Sequence, residues 1–152
     1  LHTRLAGEDP TDVRWQGAMA WDWGSLGEVH ALRGDSAAAR AARAQAQGIL
    51  RQLVENDPTN SEWRSELSWE SFQLGRLAAE SGDREAARAA WTEAAAAVER
   101  IGVEARPDAQ AIRVMALLEL GRYDEARPLV ETLRAQGWDE PDFLEAVERA
   151  GL

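Results

Sequence analysis

Apolar positions recur along this chain at helical spacing, and short polar or glycine-centred breaks separate the runs. Trp15, Met19, Leu26 and Val29 share one stripe of a helix predicted from about Thr11 to Arg33, with Thr11 or Asp12 as its cap and Gly34 as its stop. Asp35 or Ser36 opens a second helix reaching about Glu55, where Asn56-Asp57-Pro58 breaks it. A third is expected from about Asn60 to Ser81, with Trp63, Leu67, Leu74 and Leu77 on its apolar stripe, and a fourth from about Arg84 to Ile101. Gly102 and Pro107 frame the next break. Shorter helices follow from about Asp108 to Leu120 and from about Asp124 to Gln136. A last one, capped by Asp139 and with Pro141 in its first turn, runs through Ala150. No segment alternates like a strand between hairpin turns, so the pattern is all-α.

The pattern repeats. Residues 9–54 align with 57–102 at an offset of 48 without a gap, and 16 of the 46 positions are identical. Trp15 returns as Trp63, Trp21 as Trp69, Leu26-Gly27 as Leu74-Gly75 and Gly34-Asp35 as Gly82-Asp83. A period of this size signals an array of stacked units, each burying its apolar face against a neighbour. At the same offset Leu1 to Leu5 matches Ile49 to Leu53, a helix end, so the chain is expected to open on the last turns of an earlier unit. The expected division is a leading tail over 1–10, units over 11–58 and 59–107, a shorter unit over 108–137 and a capping helix over 138–152.

Composition narrows the function. Alanine clusters such as 37–39 and 94–97 favour helices that approach closely. The 27 acidic residues outnumber 17 basic ones, all Arg, for a net charge of -10. Such a surface repels phosphate backbones, which argues against nucleic acid and anionic membranes as partners. No stretch approaches the roughly 18 apolar residues of a membrane span. Without cysteine the chain has no disulfide, thiolate metal site or thiol nucleophile.

Certain residues resemble the tetratricopeptide repeat. Trp23-x-x-Leu26-Gly27-x-x-His30 followed by Ala39 is similar to its signature, with His in place of the usual Tyr. The second unit keeps Leu74-Gly75, Gly82-Asp83 and Ala87-x-x-x-Trp91, with Ser71 where the signature has Trp. The third keeps the inter-helix turn Gly121-Arg122-Tyr123-Asp124-Glu125-Ala126. The resemblance implies a right-handed solenoid of antiparallel helix pairs, about three repeats plus a capping helix. The unit is longer than the usual one of about 34 residues, by about seven residues in each helix, close to two turns. Long units with Asp-Pro-Thr-Asn before a Trp resemble arrays attached to bacterial signalling proteins, such as serine/threonine kinases or ATP-driven regulatory switches. That implies a cytoplasmic location, or a periplasmic one behind an upstream membrane span.

Catalytic chemistry has little to rest on. His2 and His30 are the only histidines, and His30 falls at a core-facing position of the repeat. Glu28 and His30 are two apart on a helix, so they diverge and cannot share a metal without outside ligands. Neither histidine forms a triad with a serine, and no glycine-rich loop follows a strand. The expectation is a non-enzyme without metal or cofactor.

The tryptophans are the strongest chemical feature. Those on the two apolar stripes, with Trp91, are expected in the core. Trp21 and Trp69 lie off the stripes, with Gly24, Ser25 and Glu28 in one unit and Phe72, Gln73 and Arg76 in the next. In the repeat family this side of the first helices lines a concave groove. The expected groove residues are Trp21, Glu28, Trp69, Phe72, Gln73 and Arg76, facing a protein or peptide partner. Two alternatives are that Trp21 packs on Trp69 and that Glu28 pairs with Arg76 inside the array. The basic clamp that grips acidic chaperone C-termini is missing, since Gly24, Glu28, Gln73, Asp108 and Ile112 occupy the matching positions. At the far end Phe143, Leu144 and Val147 are expected to cover the last repeat, while Asp139, Glu140, Asp142, Glu145 and Glu148 face water, a polar-faced ending suited to the natural end of a parent protein. The competing function is a structural spacer or self-association element, a weak homodimer with no peptide ligand.

Overall fold

The computed structural model describes residues 12–99 and 106–152, and within them the chain folds as seven helices with no strand. They are α1 (Val13–Leu32), α2 (Ser36–Asn56), α3 (Ser61–Glu80), α4 (Arg84–Ala97), α5 (Pro107–Glu119), α6 (Tyr123–Ala135) and α7 (Pro141–Arg149). The expected tail over 1–10 lies outside the described residues, as do residues 100–105.

Local chemistry sets the boundaries. Asp35, Asn60 and Asp83 each accept the backbone N–H three residues on, at 3.0 to 3.1 Å, which satisfies a donor that the first helical turn leaves open. Gly34, Gly82 and Gly121 take φ of +76°, +81° and +73°, which L side chains avoid, and they end α1, α3 and α5. A helix-ending glycine followed at once by an aspartate cap turns the chain sharply, so α1–α2 and α3–α4 form hairpins. The Ala97 carbonyl is capped from the side by Arg64 Nε at 2.7 Å, and α4 stops there, short of the expected Ile101. Pro107 opens α5 rather than preceding it. Glu140, not Asp139, caps α7, because it directly precedes Pro141 and stands three residues before the Phe143 N–H that it accepts at 2.9 Å.

Successive helices pack in order from α1 to α6, α3 also packs on α5, and α7 packs back on α5. The result is a helical repeat solenoid with α1, α3, α5 and α7 as first helices and α2, α4 and α6 as second helices. Gly27 and Gly75 sit where the two helices of a hairpin come closest. A Cβ on Gly27 would stand 2.5 Å from Arg43 Cγ, and one on Gly75 would run into the Trp91 indole.

Burial corrects the expected first stripe. Leu67 and Leu77 of α3 are buried and Trp63 and Leu74 half-buried, as the stripe predicts, and Trp91 is buried. On α1, however, Leu26 and Val29 are 41% and 42% exposed, and Trp15 and Met19 only half-buried. The α3 stripe faces the preceding α2, whereas no second helix precedes α1 among the described residues. Instead α1 buries its small residues Ala20, Gly24 and Gly27. At the other end Phe143 and Val147 are fully buried, but Leu144 points to solvent, one residue around the helix from them. Among the described residues no helix is long and apolar enough to cross a membrane.

Candidate partner-binding trough

Two cavities flank Trp69 on the first helices, and a third of about 210 Å³ adjoins the larger of them among α3, α5 and α7. The larger, about 530 Å³, has walls from α3, α5 and the entry to α7. Phe72, Ile112, Met115 and Trp138 give it an apolar floor, and Glu62, Glu66, Gln73 and Arg76 stand along α3. The smaller, about 280 Å³, lies among α1, α2 and α3, between Trp21 and Glu28 on one side and Glu66 and Glu70 on the other. Trp69 and Glu66 line both cavities, so the two form a trough with these residues at the divide.

Trp69, Phe72, Gln73 and Arg76 come together on the larger cavity, as their spacing predicts. Trp21 and Glu28 sit across from Trp69 on the smaller one. Trp21 is 68% exposed and Trp69 40%, so neither is hidden by packing on the other. Phe72 differs: it is buried and belongs to the core cluster, and it meets the cavity from below. Among the described residues no ion pair joins Glu28 to Arg76. Gly24 lines the smaller cavity, and Asp108 and Ile112 the larger. His30 is half-buried rather than core.

Glu62, Glu66 and Trp138 are trough residues that the sequence reading did not single out. Glu62 and Glu66 were within reach, since 62, 66, 69, 73 and 76 follow one stripe at spacings of three and four. Trp138 sits in the α6–α7 connector, where no helical period points to it.

The electrostatics are uneven. Burial pushes the Glu66 carboxyl above the ordinary carboxylate range, and neighbouring Glu62 and Glu70 push it further. Burial also raises Glu70; Arg43 opposes this through its charge and its hydrogen bond, and Glu28 adds to it. Arg43 Nη1 donates to Glu70 Oε2 at 2.9 Å in a buried pair. Burial works against the Asp108 charge, but Arg106 at 2.6 Å and the Ala109 N–H outweigh it, and its pKa is lowered. Among the described residues no three histidine, aspartate or glutamate side chains converge as a metal site.

The family model described as Tetratricopeptide repeat matches residues 23–45 and 107–132. No curated protein and no solved structure matches the chain. The first matched segment covers the α1–α2 turn with Gly27 and Ala39, and the second covers α5 and most of α6. With the all-helical hairpin stacking, these matches make the chain similar to the tetratricopeptide repeat over those two segments.

Proposed function

We propose that this chain is a protein-interaction module that holds a peptide or protein segment in the trough along α1, α3 and α5, with Trp21, Glu28, Trp69, Phe72, Gln73 and Arg76 as its contacts. Tetratricopeptide repeats generally mediate protein–protein interaction. The observation that carries the reading to this face is Trp69, a large aromatic left 40% exposed at the divide between two cavities. Solvent-exposed aromatic and Arg side chains beside an apolar floor are what a binding hot spot is made of. Arg76 orients a carbonyl or carboxylate of the partner, Trp69 supplies apolar area, and no reaction is catalysed. The same reading includes the unit division at 11–58, 59–107, 108–137 and 138–152 and a role inside a larger bacterial signalling or regulatory protein in the cytoplasm.

The test is selection from a random displayed-peptide library, with the winning peptides mapped by NMR. Shifts concentrated at Trp69, Gln73 and Arg76 are expected, and Arg76→Ala is expected to weaken binding by about 1–3 kcal/mol with helicity unchanged. Peptides that map instead to the α2–α4 face would refute the assignment of the trough.

Self-association is the second reading, favoured by the α1 face where Leu26, Val29 and Leu32 stand in solvent. It requires sedimentation to show concentration-dependent dimers that Val29→Glu abolishes.

A further inference from the structure

We propose that the partner segment is basic, its arginine or lysine heads set against Glu28, Glu62 and Glu66 and their stems laid on Trp21 and Trp69; this rests on the interaction-module reading above. Seven carboxylates line the two cavities against three guanidiniums. Arg43 is committed to Glu70 and Arg106 to Asp108, and Glu140 is occupied in capping α7. What remains is Glu28, Glu62, Glu66 and Asp142 against Arg76 alone. No ion pair of the described residues engages Glu28, Glu62 or Glu66.

The arrangement differs from a solvated acidic face in two ways. Glu66 is half-buried at the divide, where its charge is disfavoured by burial and by two neighbouring carboxylates, and an incoming cation relieves both. Exposed indoles stand on both walls of the smaller cavity, and a guanidinium or ammonium over an indole face is attracted by the ring as well as by the carboxylate behind it. The apolar floor of Ile112, Met115 and Phe72 then takes an aliphatic residue next to the basic one. An acidic or phosphorylated segment would meet Glu28, Glu62, Glu66 and Asp142 with only Arg76 unpaired to receive it.

Fluorescence anisotropy of the full chain, at about 0.1 M salt, tests this with two labelled peptides: arginine alternating with leucine, and glutamate alternating with leucine. The arginine peptide is expected to bind and the glutamate peptide not. The double variant Glu62→Gln/Glu66→Gln is expected to lose about tenfold in affinity, with helicity checked by circular dichroism. Glu80→Gln/Glu131→Gln has the same net charge but changes exposed residues away from both cavities, and is expected to change affinity less than about twofold. Equal losses in the two double variants would reduce the effect to net charge and overturn the proposal. Spermine binding the trough as tightly as the arginine peptide would overturn it as well. Acidic or neutral library peptides that map to the trough overturn the basic partner but leave the interaction module standing. If no peptide of any charge binds the trough, both readings fall.

Discussion

The seam between the first and second units sets buried polar groups beside a small apolar cluster of Leu50, Leu53 and Leu67. The seam between the second and third is instead apolar throughout its main cluster. Arg43, Gln47, Ser68, Glu70 and Ser71 are all buried around the first. Arg43 meets Glu70, Gln47 donates to Ser71 and Glu93, and Arg51 forks onto Glu93 at 2.5 and 2.7 Å. Around the second lies one continuous apolar cluster from Phe72 and Trp91 through Ile112, Met115 and Val130 to Phe143. The repeat offset makes the contrast direct. Forty-eight residues after Arg43 and Gln47 stand Trp91 and Ala95, so one backbone design is filled once with polar and once with apolar side chains. An ion pair and a buried amide are satisfied in one register only, while apolar surfaces tolerate repacking. The polar seam therefore trades stability for a defined stacking of α2 on α3, at the place where the trough begins.

The largest expected effect comes from breaking that seam on one side. Glu70→Leu leaves the buried Arg43 guanidinium without its carboxylate, and urea unfolding is expected to show a loss of about 3–5 kcal/mol. Arg43→Met combined with Glu70→Leu should recover most of it, because a well-packed apolar pair replaces the ion pair without its desolvation cost. A double variant as unstable as the single one would mean that the seam depends on the hydrogen bonds themselves.

Next come the two matched glycines. Gly75→Ala drives a Cβ into the stiff Trp91 ring, whereas Gly27→Ala meets the flexible stem of Arg43, with the Ala39 carbonyl at 3.3 Å. Thermal unfolding is expected to show a loss of about 2–3 kcal/mol for Gly75→Ala and about half that for Gly27→Ala. Ser81→Leu, at an exposed helix end, should cost the least of the three, little beyond the loss of the hydrogen bonds from Arg40 at 3.2 Å and to the Ala78 carbonyl at 2.9 Å. Equal melting temperatures for Gly75→Ala and Ser81→Leu would contradict the repeat register.

The repeat made much of this legible and hid the rest for definite reasons. Gly-Asp turns, Asn or Asp caps and first-turn prolines act within a few residues, so all seven helix starts expected from the sequence lie within two residues of those observed. The α1 stripe was misread because equivalence by offset predicts which face a residue occupies, not what lies against that face. Ser71 stands where the signature has Trp, yet it is fully buried and bonded to Gln47 and Glu93. Its partners lie 24 and 22 residues away on other helices, and no local pattern encodes such a pairing. The trough was visible as one stripe of α3, but Trp138 enters it from a connector through tertiary packing alone.

The smallest effect separates the trough from the surface by the sign of its pH dependence. Folding raises the Glu66 carboxyl, so the native chain holds that proton at pH values where the unfolded chain has released it. Its contribution is most favourable below the ordinary carboxylate range and declines as pH rises through the interval up to the raised value. Glu66→Gln removes that decline. The variant is expected to exceed the parent at pH 7 by no more than about 0.5 kcal/mol, since water screens a half-buried group, and to match it near pH 4. Glu125 behaves oppositely. Arg122 holds its pKa down through bonds of 2.7 Å, so its stabilisation is present above the ordinary range and is lost on acidification. Glu125→Gln should therefore be the less stable protein at pH 7, and it should converge on the parent as the pH falls. If Glu66→Gln is more stable and also binds the arginine peptide less well, the carboxylate is held in the trough at a cost to the fold, as a binding residue is and a structural one is not. A Glu66→Gln protein less stable than the parent at pH 7 would instead make Glu66 part of the packing between α1 and α3.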